Sequence, residues 1–253
     1  MQVKERAWEK YIADLRKVND KAAELVLDYL KKNGIPTSKS EMNALIDFAY
    51  AVVQTYGEAA ATLSAEMYDA VVEMSGLTLA PAVPAEPPYM NEVAKAVVGT
   101  SKTENEEIIS AAVGRLVKQT GVDTTMYNAI RDGAEWAWIP HGDTCAFCIT
   151  LASNGWQRAS KKALKGGHAE HIHANCDCTY AIRFGDDLDY PFYDPERYRE
   201  IYDNADGRKW KDKVNAMRRE FYAENSEEIN AQKRDAYAKR KERESSAAEE
   251  LKA

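Results

Sequence analysis

The sequence predicts a mainly α-helical protein that has long N-terminal helices, a small α+β module and a polar C-terminal helix. Apolar residues recur every three or four positions through the first 74 residues, as on the buried face of a helix. The pattern changes near residue 135, where it alternates as in a strand. All four cysteines then fall between residues 145 and 178. We therefore expect a helical body, a compact cysteine-containing module and a tail.

The first region, residues 1–78, is predicted to contain two helices. One apolar stripe runs through residues 1–33 and ends at a glycine that is soon followed by a proline, the usual sequence of a helix C-terminus. A second stripe covers residues 39–74, and its alanine-rich middle suits close contact between helices. Both segments are expected to form the helical core.

The next two regions are a connector, residues 79–89, and a helical region, residues 90–133. Half of the eight prolines lie in the connector, which excludes a helix interior and indicates an extended chain. In the helical region, a capping box beginning at Thr103 is expected to start a helix. We expect Gly121 to end that helix and Asp123 to cap another, short one.

The fourth region, residues 134–185, is predicted to be the α+β module. A strand is expected at 135–139, a short helix at 145–152 and a second strand at 176–184. The two tryptophans of the first strand are expected to pack in the core of the module. The last region, 186–253, is a charged helical tail whose apolar stripe covers only its first half.

The cysteines and histidines of the module have the spacing of a metal site. Cys145 and Cys148 are three residues apart, which directs both sulfurs to one side at the start of a helix. Cys176 and Cys178 are two apart and share one face of a strand. His173 lies just upstream and can replace one cysteine. Because structural zinc takes four such ligands in a tetrahedron, we expect a zinc-knuckle-like module with these five candidates.

Other interpretations of the cluster stay open. The thiols can be unmetallated or redox-active, or they can form disulfides in a mature particle. The segment His168-Ala-Glu170 with the C-x-x-C pair contains both halves of a zinc deaminase motif, but in reversed order. A thioredoxin-like site would need a parallel sheet that the sequence does not predict. A thiol nucleophile would pair Cys145 with His141.

The composition limits which partners and which cellular compartment we expect for the chain. The net charge of −7 argues against a nucleic-acid contact spread over the whole surface, although it allows a local basic patch. No apolar signal segment follows the first residues, and no run of about 18 apolar residues predicts a membrane span. We expect the chain to be made in a reducing cytoplasm, where close cysteines bind metal more often than they form disulfides.

The module resembles the minor capsid proteins of tailed bacteriophages, the Mu F-type and related head morphogenesis proteins. The resemblance rests on Cys145-Ala-Phe-Cys-Ile-Thr-Leu-Ala-Ser-Asn-Gly155, which matches the family pattern CxFCxxLAxxG, and on the ending His171-Ile-His-Ala-Asn-Cys-Asp-Cys178. It covers residues 134–185 well, and the helical N-terminal half and polar tail agree in architecture alone. Members of that family are incorporated into phage heads in few copies.

The resemblance implies an assembly protein and not an enzyme. Its expected partners are phage portal and capsid proteins, with phage DNA as a further candidate, and neither a membrane nor a small-molecule substrate is expected. Its expected location is the virion head, after assembly in the host cytoplasm. The rival hypotheses are a zinc-dependent hydrolase or nuclease that uses His141, His171 or His173 at an open metal position, and a nucleic-acid-binding zinc module.

Overall fold

The computed structural model describes residues 3–141, 145–160, 178–186, 188, 190, 192–227, 230–231 and 234. Within them, the helices and strands are α1 (Glu5–Asn33), α2 (Lys39–Met74), α3 (Met90–Ser101), α4 (Glu106–Asp132), β1 (Glu135–Ile139), α5 (Ala146–Ala152), β2 (Gln157–Arg158), β3 (Thr179–Arg183), α6 (Pro195–Asn204) and α7 (Trp210–Glu224). The prediction of a mainly helical chain with a small sheet is confirmed.

The helical body consists of α1, α2 and α4, which pack on one another, and α3, which covers α2 and α4. The start of α2 is fixed by a capping box. The Glu41 amide donates to Ser38 Oγ (3.2 Å), and the Ser38 amide donates to Glu41 Oε2 (3.0 Å). Gly34 ends α1 with a positive φ of 80°, which a side chain would disfavour. The predicted ends of both helices are confirmed.

The prediction that Gly121 ends a helix is wrong, because α4 continues through Gly121 and Asp123 to Asp132. At Gly121 the helix lies very close to α2. A Cβ atom on this residue would lie 2.8 Å from Ser64 Oγ and 3.3 Å from the Ala60 carbonyl oxygen. Glycine is therefore present because it lets two helices approach each other, and not because the backbone turns there.

The predicted N-cap is wrong for α4 and confirmed for α6. The cap of α4 is Asn105, whose Oδ1 accepts from the Ile108 amide (2.9 Å), and the expected capping box at Thr103 is wrong by two residues. In α6, the predicted start at Asp194 is confirmed, since its Oδ1 accepts from the Arg197 amide (3.0 Å).

The proline-rich connector has no regular secondary structure, as predicted, and it is bonded along α2 and α4. Side chains of these two helices satisfy backbone groups of the connector that have no strand partner. The bonds join Ala82 N to Asp69 Oδ1 (2.8 Å), Val83 N to Asn128 Oδ1 (2.9 Å), Ala85 N to Thr124 Oγ1 (2.9 Å) and Gln54 Nε2 to Pro88 O (3.0 Å). The connector is thus an integral part of the body.

The sheet is antiparallel with the strand order β2-β1-β3. Trp136 pairs with Ile182 and Trp138 with Tyr180. Both tryptophans are 2% exposed, and their rings meet the Tyr180 ring edge-on at 4.8 and 4.6 Å between centroids. After Glu135 every residue of β1 is buried, so both faces of this strand are covered. The expected core position of the two tryptophans is confirmed.

Candidate functional site

The first cysteine pair lies at the start of α5. Cys145 precedes the helix with an extended backbone, and Cys148 lies in its first turn. Their sulfurs are 3.5 Å apart. A disulfide would require about 2.05 Å. Two sulfurs bound to one tetrahedral zinc ion at about 2.3 Å each would lie about 3.8 Å apart. The spacing of the pair therefore suits two ligands of one metal ion.

The surroundings of α5 hold this pair in place. Cys148 is 1% exposed and belongs to the core cluster that contains β1, whereas Cys145 is partly buried against the same cluster. On another side, Ala146 packs against Val214 and Met217 of α7. The short helix is therefore fixed between the sheet and the C-terminal helices, and its cysteines sit on a rigid support.

Cys178 lies directly before β3 and is 2% exposed. Thr179, the next residue, pairs with Ile139 at the end of β1. Tyr198 of α6 packs against the core cluster to which Cys148 and Cys178 both belong. Since α6 also packs on α5, Cys178 shares its buried surroundings with the helix that carries the first pair.

The described residues do not complete the expected ligand set. Among them, no three His, Cys, Asp or Glu side chains come together as a group that could hold a metal ion. Cys176 and His173, together with His168 and His171, lie in the segment 161–177, outside the described residues. The zinc-knuckle character of the module is therefore not confirmed by the residues that are described.

His141, a candidate in the hydrolase and thiol-nucleophile hypotheses, lies against the ring of Trp8 on α1. Its ring is 5.9 Å from that of Trp8 and inclined by 43°. Trp8 also stacks on Phe192 at 5.6 Å and meets the edge of Tyr190 at 5.5 Å. His141 thus packs at an aromatic group that joins α1 to the segment after β3.

Two tyrosines attach the segment after β3 to the rest of the module. Neither was predicted as a site residue. Tyr190 Oη donates to the Ile182 carbonyl oxygen (2.6 Å), and Tyr193 Oη donates to the Ala152 carbonyl oxygen (2.8 Å). Burial raises the pKa of both phenols, so they stay protonated donors. The dense aromatic run from 190 to 193 was the available sequence signal.

Comparison with known families identifies the chain. A model of the family described as VG15 protein matches residues 2–205, which include α1 to α6 and the whole sheet. The chain belongs to the VG15 family. This VG15 protein is therefore a member of a viral, phage-type family. No curated protein and no solved structure matches it.

The family match also divides the molecule. It contains the helical body, the connector and the module, whereas α7 and the rest of the tail lie beyond residue 205.

In the part of the VG15 protein that the structure describes, no helix combines the length and the apolar character that crossing a membrane requires.

Proposed function

We propose that this VG15 protein is a minor structural protein of a tailed-phage head that acts in assembly near the portal and catalyses no reaction. The observation that carries the proposal is the match to a phage-type family over residues 2–205, because that range includes both the helical body and the cysteine module. Portal and capsid proteins are the proposed partners, and the virion head is the proposed location.

The build of the module supports a docking role. Its core is filled with large aromatic rings, and hydroxyl groups of Tyr190 and Tyr193 tie the following segment to β3 and α5. A densely packed unit that is joined to long helices suits a part that must present a constant surface to another subunit.

We further propose that zinc strengthens this module. Cys145, Cys148, Cys176 and Cys178 would hold the ion, with His173 as the substitute for one of them. The ion would join the start of α5 to the start of β3, and it would act as a structural crosslink, because four protein ligands leave no open position for a substrate.

The assembly role is tested in the phage that encodes the chain. We expect mass spectrometry of purified particles to find the protein in few copies, and we expect deletion of its gene to lower the yield of infectious particles strongly. Expression of the gene in trans should restore the yield. Infectious particles that lack the protein and form at the normal yield would contradict the proposal.

The zinc proposal is tested separately on the purified protein. We expect about one zinc per chain, and we expect a chelator to lower the melting temperature of the wild type but not that of Cys145→Ser. The chelator saturated with magnesium serves as the control. Less than about 0.2 zinc per chain, or an equal response of both proteins to the chelator, would exclude a structural ion and leave the assembly role untouched.

A further inference from the structure

The start of α7 concentrates positive charge in an acidic protein. Between Arg208 and Arg219 there are six Lys or Arg residues and one Asp, a net charge of +5, whereas the whole chain carries −7 and the other residues therefore carry −12. Helix N-termini favour acidic side chains because the helix dipole is positive there. Three cations at or next to the start of α7 oppose that preference, namely Arg208, Lys209 and Lys211.

Several of these cations share one exposed face of α7. Lys211, Asn215, Arg218 and Tyr222 follow the spacing of four, three and four residues that aligns side chains on a helix, and Arg219 lies beside them. All five are exposed. We call this set the basic stripe. It contains three cations, an amide and a phenol, and it lacks a carboxylate.

The cations of the basic stripe differ from those of α1 in their carboxylate partners. Among the described residues, no carboxylate forms an ion pair with Lys211, Arg218 or Arg219. On α1, by contrast, Lys10 and Lys21 lie 2.6 and 2.7 Å from carboxylates of their own helix. The described carboxylates therefore leave the charge of the stripe open to an external anion.

We infer that the basic stripe binds the phosphate backbone of duplex DNA. From Lys211 to Tyr222 the helix advances about 16 Å at about 1.5 Å per residue. That length spans about five phosphates of one strand at about 3.4 Å each. Trp210 is 52% exposed beside the stripe, with Lys211 Nζ 5.6 Å from its ring centroid.

A lipid surface fits this helix less well. Val214 and Met217, the apolar residues in the middle of α7, are 3% and 5% exposed, because they pack against Ala146 of α5. An interfacial helix needs such a face free for the membrane. The stripe also lies beyond the family match, so it adds a contact to the VG15 region. The inference rests on the proposed function in one respect: the proposed function supplies the packaged DNA of a head as the DNA that the stripe would bind.

The test uses the full chain and a fluorescent 30-base-pair duplex, with anisotropy measured between 50 and 200 mM salt. The stripe variant is Lys211→Gln with Arg218→Gln and Arg219→Gln. Its control, Lys31→Gln with Lys32→Gln and Lys102→Gln, removes the same charge from exposed sites on α1 and next to α3. We expect the wild type and the control to bind alike, independently of base sequence. The stripe variant should lose more than about tenfold in affinity at 100 mM salt, and its salt slope should fall by about 3.

Circular dichroism of all three proteins checks that the helices are retained. Absence of DNA binding by the wild type at 50 mM salt, or equal binding by the stripe variant and its control, would overturn the inference. Binding of poly-glutamate as tight as that of DNA would overturn it in favour of an acidic protein partner. Because DNA binding in solution and incorporation into particles are measured separately, either proposal can fail alone.

Discussion

In the helical body, α2 and α4 approach each other through small side chains, whereas in the sheet module large aromatic rings fill the space between strands and helices. At the α2–α4 contact, Gly121 faces Ala60 and Ser64, so that a single added carbon atom meets its neighbours at 2.8 Å. In the module, Trp136 and Trp138 are buried against Tyr180. The first contact should be sensitive to added atoms and the second to removed ones.

The largest effect is expected from Trp136→Ala in the module. Removing a fully buried indole should lower the free energy of unfolding by about 3–5 kcal/mol, since a cavity remains where the ring packed. Trp210→Ala, at a ring that is 52% exposed, is the control and should cost about 1 kcal/mol or less. Denaturant titrations followed by near- and far-ultraviolet circular dichroism measure both.

The two spectral regions also test how the body and the module are coupled. One core cluster contains Met67 and Tyr68 of α2, Met126 of α4, and residues of β1 and β3. We therefore expect the near- and far-ultraviolet transitions of Trp136→Ala to move together. A shift of the near-ultraviolet transition alone would mean that the module unfolds separately from the body.

A stabilising effect is expected when the charge of Asp123 on α4 is removed. Burial raises the pKa of this carboxyl from 3.8 to about 6; the Gln119 hydrogen bond opposes the rise and Glu92 adds to it. Because the folded protein binds this proton more tightly than the unfolded chain, stability falls as the pH rises from about 4 to about 6. The loss is complete above that range and amounts to at most about 3 kcal/mol.

Asp123→Asn removes this penalty and keeps an acceptor for Gln119 Nε2, which lies 3.1 Å from Oδ1. We expect the variant to melt above the wild type at pH 8 and to match it at pH 4. Asp28→Asn, at an exposed acid of α1, should stay within about 0.5 kcal/mol of the wild type at both pH values. A gain for Asp123→Asn that is equal at pH 4 and pH 8 would show that the carboxyl does not titrate in this range.

A smaller effect, with opposite signs at two sites, is expected from Gly→Ala substitutions. Gly121→Ala should destabilise the protein by about 1–2 kcal/mol, because the new methyl group meets Ser64 and the Ala60 carbonyl. Gly99→Ala, on α3 with no heavy atom within 4 Å of the new carbon, should stabilise it by about 0.5–1 kcal/mol through helix propensity. If both variants were more stable, the close contact of α2 and α4 would not restrict Gly121.

The smallest effect is expected at the capping box of α2. Ser38→Ala should cost about 1 kcal/mol, since the Glu41 amide loses its acceptor. Ser40→Ala, two residues further on and exposed within the helix, should change stability by less than about 0.5 kcal/mol. Thermal melts of the two variants compare a cap with a neutral surface position. Equal melting temperatures of the two variants would show that the Ser38 side chain does not stabilise the start of α2.

Local sequence rules predicted α1, α2, β1 and the start of α6 well, because stripes, caps and breakers act within a few residues. They failed at Gly121, where a residue that usually ends a helix is required by a neighbour more than 50 positions away. They also missed the hydroxyl contacts of Tyr190 and Tyr193, whose acceptors lie on other elements. For the candidate site, spacing alone predicted that the Cys145 and Cys148 side chains lie close together.

Composition and periodicity were enough to establish that this chain is mainly helical, that its cysteines are confined to residues 145–178 and that its tail is charged. Which side chains meet across elements was decided only by the tertiary structure. The connector became part of the body because Asn128 and Thr124 bond its backbone, and the stripe on α7 became a surface because the apolar side of that helix packs on α5. Contacts between distant segments depend on geometry that no local pattern encodes, since their energy is gained only when the whole chain has folded.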